Sequence, residues 1–156
     1  MKHLFQLLSL SIILLTFPSN RLTAQNNPAV ADSVSQKAGN LIVRINKFES
    51  DEGEAKIALN NSEENYRKGK PFKAIAAKIV DGKLEFVFEN IPFGEYAVKC
   101  YHDENSNGKM DSNFLGIPSE AYGFSNNARG SFGPPDYEDA KFLFSADNQV
   151  IEFQVK

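Results

Sequence analysis

The sequence predicts an all-β protein: an antiparallel β-sandwich of about seven strands, of immunoglobulin-like or prealbumin-like type, with one long ordered loop. Three observations predict it. Apolar and polar residues alternate in short runs from Leu41 to Val155, the period of a strand with one dry face. Turn formers such as Asp81-Gly82 and Asp147-Asn148 separate those runs. Apolar residues at helical spacing are hard to find along the same stretch.

The chain begins with a segment set apart from that pattern. Met1-Lys2-His3 is basic, Leu4 to Phe17 is almost wholly apolar, and Leu22-Thr23-Ala24 ends in a small residue. This is the layout of a secretory signal peptide over residues 1–24. The apolar run is shorter than the roughly 20 residues of a membrane helix, so no span is expected after cleavage. Residues 25–39 are polar and read as a flexible linker, leaving 40–156 as one domain. The protein is expected to be exported, either periplasmic or secreted.

Within the domain, Leu41, Val43 and Ile45 fall on one face of a first strand. Glu52-Gly53 then turns the chain into Ala55 to Leu59, so these two runs are expected to form a hairpin. Asn60 to Lys70 is polar and reads as a loop. Phe72 to Val80 and Leu84 to Glu89 flank Asp81-Gly82, whose turn needs positive φ at both positions and gives the strongest hairpin signal in the chain. Pro92 and Gly94 punctuate the next turn, after which Tyr96, Val98 and Cys100 point inward. The last strands are Ala140 to Ser145 and Val150 to Lys156, the latter with Ile151, Phe153 and Val155 inward.

Between Asp103 and Asp139 lies a long connection that holds half of the ten glycines. Structureless loops beyond about 12–15 residues are uncommon in compact domains and tend to be functional or disordered. Disordered segments are poor in aromatics, whereas this one carries Phe114, Tyr122, Phe124, Phe132 and Tyr137. It is therefore expected to be an ordered excursion that packs its own aromatics, with a short strand near Tyr122 to Phe124.

The excursion starts with Asp103-Glu104-Asn105-Ser106-Asn107-Gly108-Lys109-Met110-Asp111. Side-chain oxygens at alternate positions followed by glycine suit a hard cation on a curved backbone. The expected calcium ligands are the side chains of Asp103, Asn105, Asn107 and Asp111 and the carbonyl of Lys109, with Gly108 permitting the bend. Phe114 stands where a calcium-binding helix–loop–helix would place a bidentate glutamate, so the remaining carboxylate is sought among Glu104, Glu120, Asp136, Glu138 and Asp139. The competing reading is a set of Asx-turns with no metal.

Charge and cysteine content narrow the function. Without Lys2 and Arg21 the chain keeps 15 of its 17 basic and all 20 acidic residues, a balance unsuited to nucleic acid. Cys100 is the only cysteine, so no intrachain disulfide forms. Cys100 and His102 share a strand face and Asp103 adjoins them. Side chains two apart on a strand stand about 7 Å from each other, long for a nucleophile and its base. With no catalytic motif beside them, the chain is expected not to be an enzyme. Tyr101, Tyr122, Phe124 and Tyr137 form a candidate platform for a carbohydrate or peptide, and Arg129 is expected to pair with Asp136 or Glu138.

The runs His102 to Asp111, Leu115 to Ala128, Gly133-Pro134-Pro135 and Asp139-Ala140 resemble a family of small exported bacterial proteins known as domain of unknown function 2141. That resemblance implies no activity and no catalytic residue. Ile91-Pro92-Phe93-Gly94-Glu95-Tyr96 is similar to the Pro-Gly-x-Tyr turn of prealbumin-like and collagen-adhesin B-type sandwiches, with Phe93 inserted. The combined expectation is a calcium-stabilised structural or interaction domain of the cell envelope, with an unidentified protein or glycan partner.

Overall fold

Two β-sheets share one apolar core in the computed structural model, which describes residues 37–156. The proposed signal peptide and all but the end of the linker lie outside the described residues. The elements are β1 (Ala38–Asn46), β2 (Glu54–Asn60), α1 (Glu63–Lys68), β3 (Lys73–Ala77), β4 (Lys83–Pro92) and β5 (Gly94–Asp103). They continue with β6 (Tyr122–Phe124), α2 (Tyr137–Ala140), β7 (Phe142–Phe144) and β8 (Gln149–Gln154). The three-stranded sheet runs β4-β1-β8, and the five-stranded one β3-β2-β5-β6, with β7 also on β5. No described helix is long and apolar enough to cross a membrane.

The alternation seen in the sequence sets the core. Leu41, Val43 and Ile45 of β1 face Ile57 and Leu59 of β2, Val98 of β5, Phe144 of β7 and Phe153 of β8 within one buried cluster. Each such side chain contributes about 1.5–3 kcal/mol by leaving water. Opposite Asn40, β4 spends two residues, Glu89 and Asn90, and Asn90 takes φ 52°. This bulge turns the end of β4 toward the Pro92 corner. There Tyr96 donates its hydroxyl to the Pro92 carbonyl at 2.8 Å and buries its ring beside Phe144.

Several sequence expectations need correction. β1 and β2 do not form a hairpin, because they belong to different sheets. Their link crosses the end of the sandwich, where Phe48 is buried and donates its N–H to the Gly82 carbonyl. Asp81 and Gly82 do take positive φ, 52° and 66°, but only the Val80–Lys83 bridge follows before β3 and β4 part into separate sheets. Asp51 holds that turn by accepting both its N–H groups at 2.9 Å. Periodicity tells a strand which face is dry; it does not say from which side the core is approached. For the same reason β8 is a surprise, lying parallel to β1 in an otherwise antiparallel structure. β1 starts at Ala38, inside the proposed linker, and the strands number eight.

The 60–70 stretch contains α1 rather than only loop. Ser62 caps it by accepting the Asn65 N–H, Gly69 closes it in the left-handed region, and Glu63–Arg67 and Glu64–Lys68 pair across one turn. Tyr66 is its single buried residue, so no helical period could show. With Ala97, Phe124, Ala128, Tyr137 and Ala140, Tyr66 forms a second apolar cluster on the outer face of the five-stranded sheet.

Candidate functional site

β5 divides its residues between two faces. Tyr96, Val98, Cys100 and His102 go to the core, and Ala97, Lys99, Tyr101 and Asp103 go to the outer face. The excursion covers that outer face and is sewn along the free side of β5. Ser125 accepts the Val98 N–H at 2.9 Å and lies against the Ala140 carbonyl, filling the gap between β6 and β7. The excursion also grips the other sheet: Tyr122 and Lys156 exchange backbone hydrogen bonds at 3.1 Å, and Asn127 accepts the Gln154 N–H at 2.9 Å.

At the end of β5 the side chains of Asp103, Asn105, Asn107 and Asp111 are joined in one hydrogen-bonded turn. Asp103 is fully buried, and its two carboxylate oxygens accept the N–H groups of Asn107 (2.9 Å) and Gly108 (2.8 Å). Gly108 has φ 79°, as the bend requires. The Asn105 oxygen accepts the Asn107 N–H, and the Asn107 oxygen accepts the Lys109 N–H at 2.7 Å, two successive Asx-turns. The amide nitrogens of both asparagines donate to Asp111, at 2.6 and 3.1 Å. Among the five candidate carboxylates, Glu120 is the one that joins the turn, accepting the N–H of Glu104 at 3.1 Å and of Asp111 at 2.9 Å. Lys56, on β2, balances Asp103 at 3.5 Å, and its ammonium is held above its ordinary value first by Glu54 and less by Asp103.

The chemistry of this donor set is therefore mixed. Asp103 Oδ1 and Asp111 Oδ1 each accept one hydrogen bond and keep a second lone pair for a cation, whereas Asp111 Oδ2 already accepts from both asparagines. Yet the NH₂ groups of Asn105 and Asn107 face Asp111, and turning either amide over would give up its Asx-turn bond. Among the described residues, no group of three or more His, Cys, Asp or Glu side chains is gathered closely enough to hold a metal. A cation here would rely on Asp103, Asp111 and backbone or amide oxygens.

Beyond the turn, the excursion does not bury all its aromatics as expected. Asn113 accepts the N–H groups of Leu115 (2.9 Å) and Ile117 (3.1 Å), and Ser112 bridges to Pro118, closing a tight tip. That tip holds Phe114 (95% exposed), Leu115 (67%) and Ile117 (55%) out to solvent. Phe132 is likewise fully exposed. Tyr122 and Phe124 instead pack on the outer face of the sheet, while Tyr137 is buried against Tyr66 with ring centroids 5.7 Å apart. Between the tip and the sheet runs a groove of about 470 Å³, lined by Tyr101, Tyr122 and Phe124 on one side and Met110, Ile117 and Pro118 on the other.

The remaining candidates fall elsewhere. Cys100 is buried in the core, which pushes its thiol well above the ordinary range, and its nearest polar partner is the Tyr101 carbonyl at 3.8 Å. The His102 ring is also fully buried, with Nε2 2.7 Å from the Glu52 carbonyl and its edge against Phe48. Cys100 borders the groove but is only 3% exposed, and His102 does not line it. Arg129 reaches the carbonyls of Tyr122 and Gln154 at 3.4 and 3.5 Å, pinning the excursion to β8, and makes no ion pair with Asp136 or Glu138.

A family model described as "Uncharacterized protein conserved in bacteria" matches residues 43–152. No curated protein and no solved structure matches the chain.

Proposed function

We propose that this chain, which belongs to the uncharacterised bacterial family DUF2141, is an exported, non-catalytic sandwich domain of the cell envelope that engages a protein partner through the tip of its excursion. One observation carries this reading. Phe114, Leu115 and Ile117 are displayed on a tip whose backbone is fixed by Asn113, above a base fixed by Asp103, Asp111 and Glu120. Exposed apolar residues grouped on a braced support mark contact surfaces, and bracing lowers the entropy lost on binding. The groups with nucleophilic character, Cys100 and His102, face the core, which supports a non-catalytic role.

Calcium belongs to the same reading as a stiffener of the tip's base, bound by Asp103 and Asp111 with oxygens from Asn105, Asn107 and Lys109. A site filled to a hundred times its dissociation constant adds about 2.7 kcal/mol. The sandwich is of the prealbumin rather than the immunoglobulin type. In the immunoglobulin layout the first two strands lie in one sheet, whereas here β1 lies between β4 and β8. The Tyr96–Pro92 hydrogen bond at the Pro-Phe-Gly-Glu-Tyr corner supports the same assignment.

The test places a photocrosslinking side chain at Phe114 and, as control, at Val150 on the opposite sheet, in cells fractionated after irradiation. A discrete envelope adduct at position 114 alone is expected; matching patterns at both sites overturn the proposed contact. For the metal, calcium is expected to raise the thermal midpoint of the wild type and not of Asp111→Ala. A wild-type midpoint indifferent to calcium and chelator removes the ion from the proposal.

A further inference from the structure

The outer face of the five-stranded sheet is unusually apolar for a solvent side. An antiparallel sheet with one wet face normally places polar residues there, but this one carries Ala58, Ala74, Ala76 and Tyr101 beside Tyr122 and Phe124, with Lys56 and Lys99 as the charged residues lining its two larger hollows. Three hollows meet on it. The 470 Å³ groove under the tip shares Lys99 and Tyr101 with a second hollow of about 450 Å³ toward β3. It shares Lys99 and Pro134 with a smaller recess of about 240 Å³ beside Tyr66. Lys99 is the residue common to all three and the only charged one lining the groove.

Lys99 is also short of a counter-charge. Its Nζ donates to the Tyr66 carbonyl at 2.6 Å and stands 3.6 Å from the centre of the Tyr66 ring. An ammonium has three protons to donate, and among the described residues no carboxylate oxygen lies within 4.0 Å of this one. Two other cations borne by the five-stranded sheet and its flanking turn differ. Lys56 has Glu54 and Asp103, and Lys141 has Glu95 and Glu138. Burial pulls the Lys99 ammonium below its ordinary value; Asp136 lines the same small recess but makes no ion pair with it.

We propose that this face binds a small amphiphile made of an apolar chain and one carboxylate, the chain lying in the groove beneath the tip and the carboxylate against the Lys99 ammonium. The groove's size is within the range of small-molecule sites, which pair a mostly apolar lining with a few polar groups that fix orientation. The chain would cover the rings of Tyr101 and Tyr122 and meet Ile117 and Met110. The carboxylate would supply the charge that Lys99 lacks. This goes beyond the protein contact proposed for the tip, since it uses the groove and not the outward-facing Phe114, and either can fail alone.

The test is calorimetric titration with dodecanoate below its micelle-forming concentration, with dodecanol as the uncharged probe. Saturable one-to-one binding of dodecanoate is expected, at least about tenfold tighter than dodecanol, a difference of about 1.4 kcal/mol. Lys99→Met keeps an apolar stem and should bring dodecanoate to the level of dodecanol. Ile117→Glu, at an exposed lip and so harmless to folding, should weaken both. Phe114→Ser should change neither, although it removes the tip adduct. The proposal is overturned if dodecanoate gives no saturable heat, if dodecanol binds as tightly, or if Lys99→Met leaves dodecanoate binding unchanged.

Discussion

The inner and outer faces of β5 are held by different physics. On the inner face, Val98 and Cys100 are fixed by apolar contact with both sheets, and any side chain of suitable size and polarity would serve. On the outer face, Asp103 is fixed by two backbone N–H groups, and the turn it anchors is a chain of Asx and carboxylate bonds with specific partners. The first arrangement tolerates substitution by volume. The second depends on particular atoms, but it leaves the apolar side chains of the excursion free to face outward.

Four substitutions or conditions would break or sharpen this contrast. The largest effect is expected in the core: Phe153→Ala removes a ring buried between the sheets and should cost about 3–5 kcal/mol in a denaturant or thermal melt. Asp103→Ala removes a fully buried carboxylate that accepts the Asn107 and Gly108 N–H groups and should cost about 1–3 kcal/mol. Amide exchange should localise that loss, with Asn107 and Gly108 losing protection while Val43 and Ile45 keep theirs. Equal loss at both places would mean that the outer turn and the core fold as one unit.

Tyr66 tests the second apolar cluster. Burial first, then the charges of Asp136 and Asp139, push its phenol up to about 12. A raised folded value means that its stabilising contribution is complete below pH 10 and is lost as pH climbs from 10 to about 12. The loss should be on the order of 2 kcal/mol, and it should vanish in Tyr66→Phe, which also forfeits the hydrogen bond to the Pro135 carbonyl at 3.0 Å. The smallest effect is expected at Gly108. Its side-chain position is open, so Gly108→Ala meets no clash and should cost only about 1 kcal/mol for the left-handed backbone. By contrast, an added carbon at Gly123 would lie 2.5 Å from the Gln154 carbonyl, where β6 passes close to β8.

The contrast also explains what was legible in the sequence. The dry residues of β1, β2, β5 and β8 could be read from period two, because burial acts on each strand locally. Their partners could not, because Leu41 and Ile57 carry the same pattern while sitting in opposite sheets. The turn at 103–111 was legible because its residue types are scarce and specific, and so was the short strand at Tyr122. The outward tip was not. Phe114 and Leu115 look like core residues by composition, and only the Asn113 hydrogen bonds turn them to solvent. Lys99 gave no signal either, since its lack of a counter-charge depends on what α1 and the Pro134 segment bring beside it.

The parallel pairing of β1 with β8 has a temporal consequence. Residue 41 must wait for residue 149 before its sheet is complete, and contacts so distant along a chain form slowly. A ribosome delivering this polypeptide from its amino end therefore releases an unfinished layer, with one edge of β1 unpaired until β8 has emerged. Loss of even the final strand would leave the earlier ones without closure.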